Sequence, residues 1–150
     1  QEYIVELKSE PNWIDIMYLN TEKADITSEV AIAIEEADKI VIGPSNPILS
    51  IGPILSIQNL KEKLIINKNT YVVSPFIQNK AIKGPSKKNF EDLGYKSDIT
   101  GVKDFYEDIG TFFIVQTGDS DEAINTIEEN ILFKSEKDAI NLARYIVDHE

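Results

Sequence analysis

Short apolar runs alternate along the chain with amphipathic stretches, and this pattern predicts strands separated by helices. The runs that predict strands, rich in β-branched and aromatic residues, are 3–7, 13–19, 39–42, 70–74, 112–115 and 131–133. The stretches with helical spacing or helix-start signals are 27–38, 50–64 in two pieces, 87–93, 102–109, 123–129 and a terminal helix capped by Ser135. Such alternation favours parallel strands joined by crossover helices, so we predict an open α/β sheet with helices on both faces.

Size and composition are those of one folded domain of ordinary globular type. The chain has 150 residues, of which 42% are hydrophobic and 27% charged. No apolar run approaches the roughly 18 residues of a membrane-spanning helix, and no signal-peptide pattern opens the chain. We therefore expect a cytoplasmic protein.

The residues that are scarce or in excess exclude several kinds of chemistry. Cysteine is absent and His149 is the single histidine, which argues against disulfides, thiolate metal sites and a Ser–His dyad. The formal net charge of −11 disfavours nonspecific binding to nucleic acid or to an anionic membrane. An anionic ligand would need donors placed locally around it.

The loop that follows the third predicted strand carries the strongest candidate for phosphate binding. Ligands of open α/β sheets bind beyond the carboxyl ends of the strands. In residues 43–53, Gly43 permits close backbone approach, Pro44 stiffens the turn, and Ser45, Asn46 and Ser50 offer polar side chains before a predicted helix. Neither a P-loop nor a G-x-G-x-x-G fingerprint is present. A stiff turn with no ligand is the alternative, and both interpretations stay open.

Two further loops follow predicted strands. Residues 74–88 contain four lysines within nine residues, at positions 80, 83, 87 and 88. Lys80 and Lys83 are the better anion-binding candidates, because Lys87 and Lys88 begin a helix and would oppose its dipole; a solvated lysine-rich loop is the alternative. In residues 117–122, Asp119 and Asp121 are weak candidates for Mg²⁺ ligands, and helix capping is the more common role of such aspartates.

Several motifs along the chain resemble one protein family. They are Gly-Pro-Ser-Asn-Pro-x-x-Ser-Ile-x-Pro-Ile-Leu at 43–55, Val-Ser-Pro at 73–75 and Lys-Gly-Pro at 83–85. Gln-Glu-Tyr at 1–3, Ala-Asp at 37–38 and Gly-Val at 101–102 followed by a tyrosine at 106 appear in the matching order. In these features the chain is similar to the CofD family of 2-phospho-L-lactate transferases along nearly its whole length.

The resemblance implies a fold and a reaction. The expected fold is a Rossmann-like sheet, and the expected enzyme is a Mg²⁺-dependent transferase. It would move phospholactate, or phosphoenolpyruvate in some organisms, from a guanosine diphosphate-linked donor onto the hydroxyl of the deazaflavin Fo and release GMP. If the residues that match the family's motifs have the family's roles, the residues that contact or line the donor site are Gly43, Pro44, Ser45, Asn46, Ser50, Lys83 and Gly84.

The chain also departs from the family. Members are about twice as long and begin with a glycine-rich turn followed by aspartates for the metal and the deazaflavin, so we interpret residues 1–150 as the C-terminal portion of a larger domain. The usual Gly-Gly pair of the second loop is replaced here by Gln78 and Asn79. An exposed sheet edge would favour pairing with another chain, and we expect a homodimer. The alternative function is a noncatalytic relative that binds nucleotide-linked sugars and regulates metabolism; a fragment that preserves packing alone is a third possibility.

Overall fold

The centre of the fold is a parallel four-stranded sheet. The computed structural model describes residues 2–78, 80–81 and 85–149. Its strands are β1 Ile40–Ile42, β2 Thr70–Val73, β5 Phe112–Gln116 and β6 Thr126–Glu129, while β3 Phe76–Ile77 and β4 Lys80–Ala81 form a separate antiparallel pair. The four strands of the sheet lie in the order β1-β2-β5-β6, and every neighbouring pair is parallel. The predicted open α/β class is confirmed.

Helices cover the two faces of the sheet unequally. The helices are α1 Ser28–Glu36, α2 Gly52–Leu55, α3 Gln58–Ile66, α4 Ser86–Asp92, α5 Ile99–Phe105 and α6 Glu136–Asp148. Residues of α1 to α5 join Ile42 and Val72 in one core cluster. On the opposite face, Leu142 and Ile146 of α6 pack with Val73 of the sheet in a second cluster. Alternate residues of β2 therefore face different helical layers, as the period of a strand requires.

Capping explains where α1 and α6 begin. The Thr27 hydroxyl accepts a hydrogen bond from the Val30 amide at the start of α1. At α6, Ser135 and Asp138 form a capping box, and the Asp138 carboxylate accepts from the Ser135 amide at 2.9 Å. At the other end of α6, the Lys39 ammonium donates to the carbonyl oxygens of Ile146 (2.8 Å) and Val147 (2.7 Å) and also to that of His149.

The prediction of two strands near the N-terminus, at 3–7 and 13–19, is wrong. A single π-helical turn, Glu2–Glu6, replaces the first, and residues 13–19 are irregular. The Trp13 amide donates to the Asp92 carboxylate at 3.0 Å, and the Tyr18 hydroxyl donates to the Ile48 carbonyl at 2.6 Å. These contacts fasten the segment over α4 and the loop after β1, where no strand of the described residues is available to pair with it.

The predicted elements near residue 125 are also wrong. A turn and then β6 occupy 123–129, where a helix was predicted, and 131–133 is not a strand. The Asp121 side chain accepts from the Ala123 amide at 2.9 Å, which closes the turn, and Ile127 then pairs with Ile114 of β5. Pairing along β5 outweighs a short helical pattern, because β5 supplies a complete row of backbone partners.

Candidate functional site

Three loops meet the edge of the sheet where its strands end. Because β1, β2 and β5 are parallel, the loops beginning at Gly43, Ser74 and Thr117 follow strand ends of the same direction. A cavity of about 380 Å³ lies between the second and third loops. Its lining residues are Ser74, Phe76, Gln78, Asp98, Ile99, Val115, Gly118, Asp119 and Ser120. The arrangement is that of a ligand-binding edge in an open α/β sheet.

The beginning of the first loop is open to solvent. Gly43, Pro44 and Ser45 are all exposed, and the Ser45 amide donates to the Gly43 carbonyl at 2.8 Å. A Cβ atom at Gly43 would meet nothing within 4 Å, so a ligand could approach this backbone closely. Ser50, also exposed, lies in the π-helical turn Pro47–Ile51.

Asn46 has a structural role in the same loop. Its Oδ1 accepts hydrogen bonds from the amides of Ile48 and Leu49, both at 3.0 Å, and so caps the turn that follows. Its Nδ2 donates to Asn89 Oδ1 at 3.0 Å. Asn89 is completely buried in α4, and its Nδ2 donates to the Tyr3 hydroxyl at 3.1 Å. This chain of side chains joins the loop to α4 and to the N-terminal segment.

The second loop turns back on itself before the lysines. The buried Ser74 hydroxyl donates to the Phe76 carbonyl at 3.0 Å and accepts from the Phe76 amide at 3.1 Å. Gln78 has a φ of 50°, in the left-handed region, and lies beside the cavity. Lys80 is exposed in β4. Lys83 and Gly84 lie outside the described residues, so their assignment to the donor site stays a prediction.

Lys87 and Lys88 are held by acidic partners on α4. Lys88 contacts the Asp92 carboxylate at 2.5 Å and donates to the Pro11 carbonyl at 2.8 Å, while Lys87 lies 3.7 Å from Glu91. Hydrogen bonds from the Lys88 ammonium, and then from a backbone amide, lower the pKa of Asp92. Both lysines are therefore used within the fold, which is why Lys80 is the better anion candidate among the described residues.

The aspartates of the third loop accept hydrogen bonds from backbone amides. Asp119 Oδ2 accepts from the Gln78 amide at 2.8 Å and so ties the third loop to the second. Asp121 closes the turn to Ala123, and Asp98, across the cavity, caps α5 by accepting from the Gly101 amide at 3.1 Å. Over residues 2–78, 80–81 and 85–149, no group of three or more His, Cys, Asp or Glu side chains could hold a metal ion. The assignment of Asp119 and Asp121 to Mg²⁺ therefore stays a prediction.

Three residues at or near this edge were not predicted to be site residues. Asp98 could have been found, because an aspartate three residues before Gly101, at the start of a helical stretch, is a recognisable cap. Gln78 and Asn89 gave no usable signal, since their roles depend on partners 41 and 43 residues distant in sequence.

The fold and the position of these loops define a class of protein, an open α/β protein with loops and a cavity beyond the carboxyl ends of its parallel strands, where ligands of this class bind. A family model described as "2-phospho-L-lactate transferase CofD" matches residues 1–145. The chain therefore belongs to the CofD family.

Curated relatives agree with this assignment. The chain is 34% identical over 151 residues to the 2-phospho-L-lactate transferase of Methanocaldococcus jannaschii, covering 98% of this chain and 48% of the relative. It is 38% identical over 147 residues to that of Methanococcus vannielii, covering 95% of this chain and 46% of the relative. The chain thus spans about half the length of the curated relatives it matches. No helix in the part of the chain that the structure describes is long and apolar enough to cross a membrane.

Proposed function

We propose that this chain forms one half of a 2-phospho-L-lactate transferase. The observation that carries the proposal is the family match over residues 1–145, which includes the loop at the carboxyl end of β1. In the proposed reaction, the terminal hydroxyl of the deazaflavin Fo attacks the phosphorus of the phospholactyl group. A phosphorus–oxygen bond to the acceptor forms, the phosphoanhydride bond between the two phosphates of the donor breaks, the hydroxyl proton passes to water, and GMP leaves with the bridging oxygen.

The open part of the first loop is the proposed donor site. Gly43, Pro44 and Ser45 are exposed at a strand end, where the open backbone of Gly43 and the hydroxyl of Ser45 can contact phosphate without a large positive field. That property matters in a chain of net charge −11, because only local donors can overcome its repulsion of an anion. Asn46 supports the loop from within, and Ser50 lies one turn further along.

The proposed task of this edge is to bind and orient the donor. In such a transfer the protein contributes mainly by holding the two reacting groups in line and by stabilising the charge on the phosphates. Mg²⁺ would supply charge neutralisation on the pyrophosphate when bound, and its ligands would come mainly from substrate phosphates and from the rest of the family domain. We propose a cytoplasmic enzyme, and the homodimer expected from the sequence stays a prediction.

Calorimetric titration with GDP, and then with Fo in the presence of Mg²⁺, tests the proposal on the protein together with the complementary half of the domain. We expect saturable binding of both, with Ser45→Ala weakening the GDP step several-fold. Ser28→Ala, an exposed serine outside the three loops, is the matched control and should leave binding unchanged. Nucleotide binding without Fo would favour the regulatory relative, and binding of neither ligand would refute both functions.

A further inference from the structure

We propose that a second cavity, lined by three tyrosines in the layer of α2, α3 and α5, binds a small neutral heterocycle that carries a lactam group. The cavity has a volume of about 220 Å³. Among the described residues, it shares no lining residue with the cavity at the carboxyl ends of β2 and β5. It lies instead beside the turn that joins α5 to the start of β5, where Gly110 donates its amide hydrogen to the Tyr106 carbonyl at 2.8 Å.

The hydroxyl of Tyr106 lacks a partner within the fold. Tyr106 is only 2% exposed, and no described residue forms a hydrogen bond with its hydroxyl. Its ring is held in place by an edge-on contact with Phe105, with the ring centroids 4.9 Å apart. Buried polar groups are nearly always hydrogen-bonded, because a group taken out of water without a partner is destabilising. This hydroxyl therefore calls for a partner from the cavity that it lines.

The partner must be an acceptor atom. Burial raises the pKa of the Tyr106 hydroxyl, so this group keeps its proton and donates. The half-buried Tyr95 lines the same cavity, and its hydroxyl also has no hydrogen bond to a described residue. Two phenol donors thus converge on one space, which suits a ligand with ring-nitrogen or carbonyl acceptors.

The walls of the cavity favour a flat ligand with a single ring system. Tyr18, Tyr95 and Phe105 line it, and the rings of Tyr95 and Phe105 lie 5.8 Å apart at 72°. A Cβ atom at Gly52 would lie 2.0 Å from the Tyr18 hydroxyl, so glycine lets this ring lie close to α2. Sites for drug-sized ligands have volumes of roughly 300–1,000 Å³, and the smaller volume here fits one ring rather than a whole nucleotide.

An ion pair at the rim gives the cavity its preference for a lactam. Lys61 and Asp108 are 3.0 Å apart, and their side chains are 43% and 58% exposed. They present a donor and an acceptor side by side, which matches the adjacent C=O and N–H of a lactam. The pair carries no net charge, and the chain's charge of −11 disfavours an anion, so the ligand that fits is neutral.

The test is an NMR titration of the protein together with the complementary half of the family domain, with only this chain isotopically labelled. The probes are uracil, a single lactam ring, and pyrimidine, the same ring without the lactam; uridine distinguishes a nucleoside from a free base. Tyr106→Phe removes the buried donor and keeps the ring. Tyr145→Phe, at a half-buried tyrosine on the opposite face of the sheet, is the matched control. None of these measurements depends on transferase activity, so failure here is distinguishable from failure of the proposed function.

We expect uracil to shift amide signals around the cavity saturably, with Tyr106→Phe weakening its binding by roughly two- to tenfold and Tyr145→Phe leaving it unchanged. Pyrimidine should bind more weakly than uracil, and Lys61→Met should remove that difference. Equal binding of uridine would identify a nucleoside as the ligand, and weaker binding a free base.

Stability gives a second readout for Tyr106. Because its hydroxyl has no partner in the described fold, Tyr106→Phe should be at least as stable as the wild type in urea titration. A less stable Tyr106→Phe variant that still binds uracil normally would assign the hydroxyl to a structural hydrogen bond, with water as the only occupant, and would overturn the proposal. Absence of saturable shifts with uracil, or equal binding of uracil and pyrimidine, would also overturn it.

Discussion

The donor loop is expected to lose its structure when Asn46 is replaced by alanine. The substitution removes the cap on the turn Pro47–Ile51, which costs about 1 kcal/mol. It also leaves Oδ1 of the fully buried Asn89 without its partner, which costs about 1–3 kcal/mol. The two contributions together predict a loss of about 2–4 kcal/mol in the free energy of unfolding. Ser45→Ala, at an exposed neighbour, should stay within about 0.5 kcal/mol of the wild type.

Urea denaturation followed by circular dichroism measures this difference, and a double-mutant cycle apportions it. Asn46→Ala, Asn89→Ala and the double variant should show a coupling of about 0.5–3 kcal/mol, because the two amides are direct partners at 3.0 Å. Asn46→Ser keeps a capping oxygen and loses the donor to Asn89, so its stability should fall between those of the wild type and the alanine variant. If Asn46→Ala is no less stable than Ser45→Ala, the argument from capping is refuted.

The expected instability decides how binding experiments at this loop are interpreted. A loss of nucleotide binding in Asn46→Ala would follow from collapse of the loop whether or not Asn46 touches the ligand. Ser45→Ala and Gly43→Ala avoid this ambiguity, because the Ser45 side chain is exposed and a Cβ at Gly43 has open space around it. Weaker binding in these variants at unchanged stability would identify contact with the ligand.

Three other perturbations have expected outcomes. Lys39→Met removes the ammonium from the last carbonyl oxygens of α6 and should lower the free energy of unfolding by about 1–3 kcal/mol. Lys137→Met, in the first turn of α6, should leave the free energy of unfolding unchanged, and urea titration of both variants checks this. Gly101→Ala would place a Cβ 1.9 Å from a backbone carbonyl oxygen, so thermal unfolding should show a loss of about 2 kcal/mol or more, and an unchanged melting temperature would contradict this. Hydrogen bonds from the Lys134 amide, the Ser135 hydroxyl and the Ser135 amide lower the pKa of Asp138. The Asp138 carboxylate therefore stabilises the fold at neutral pH, and this stabilisation is lost as the pH falls through the lowered pKa. Urea titration should show that Asp138→Asn is destabilising at neutral pH and nearly neutral in acid.

The core of the fold could be predicted because its signals are local. The strand at 40–42 is a short apolar run that ends at Gly43 and Pro44, and the helix after residue 135 begins at a capping box. The strand β6 could not be predicted in this way. Its residues have a weak helical pattern, and only the row of backbone partners along β5 makes the strand the better state. Strand pairing depends on which neighbour is present, and a window of sequence does not contain that neighbour.

The candidate site was predictable in position but not in the division of roles within the loop. A strand followed by Gly-Pro-Ser-Asn-Pro indicates a loop at the ligand-binding edge of the sheet. An asparagine in that loop could equally cap a helical turn or contact a ligand, because both roles use the same acceptor oxygen and donor amide of its side chain. The partner that settles the structural role, Asn89, is 43 residues away. Both functional groups of Asn46 are hydrogen-bonded within the fold, whereas the exposed hydroxyls of Ser45 and Ser50 stay open to a ligand. Contacts to the donor should therefore be sought on either side of Asn46 rather than at Asn46 itself.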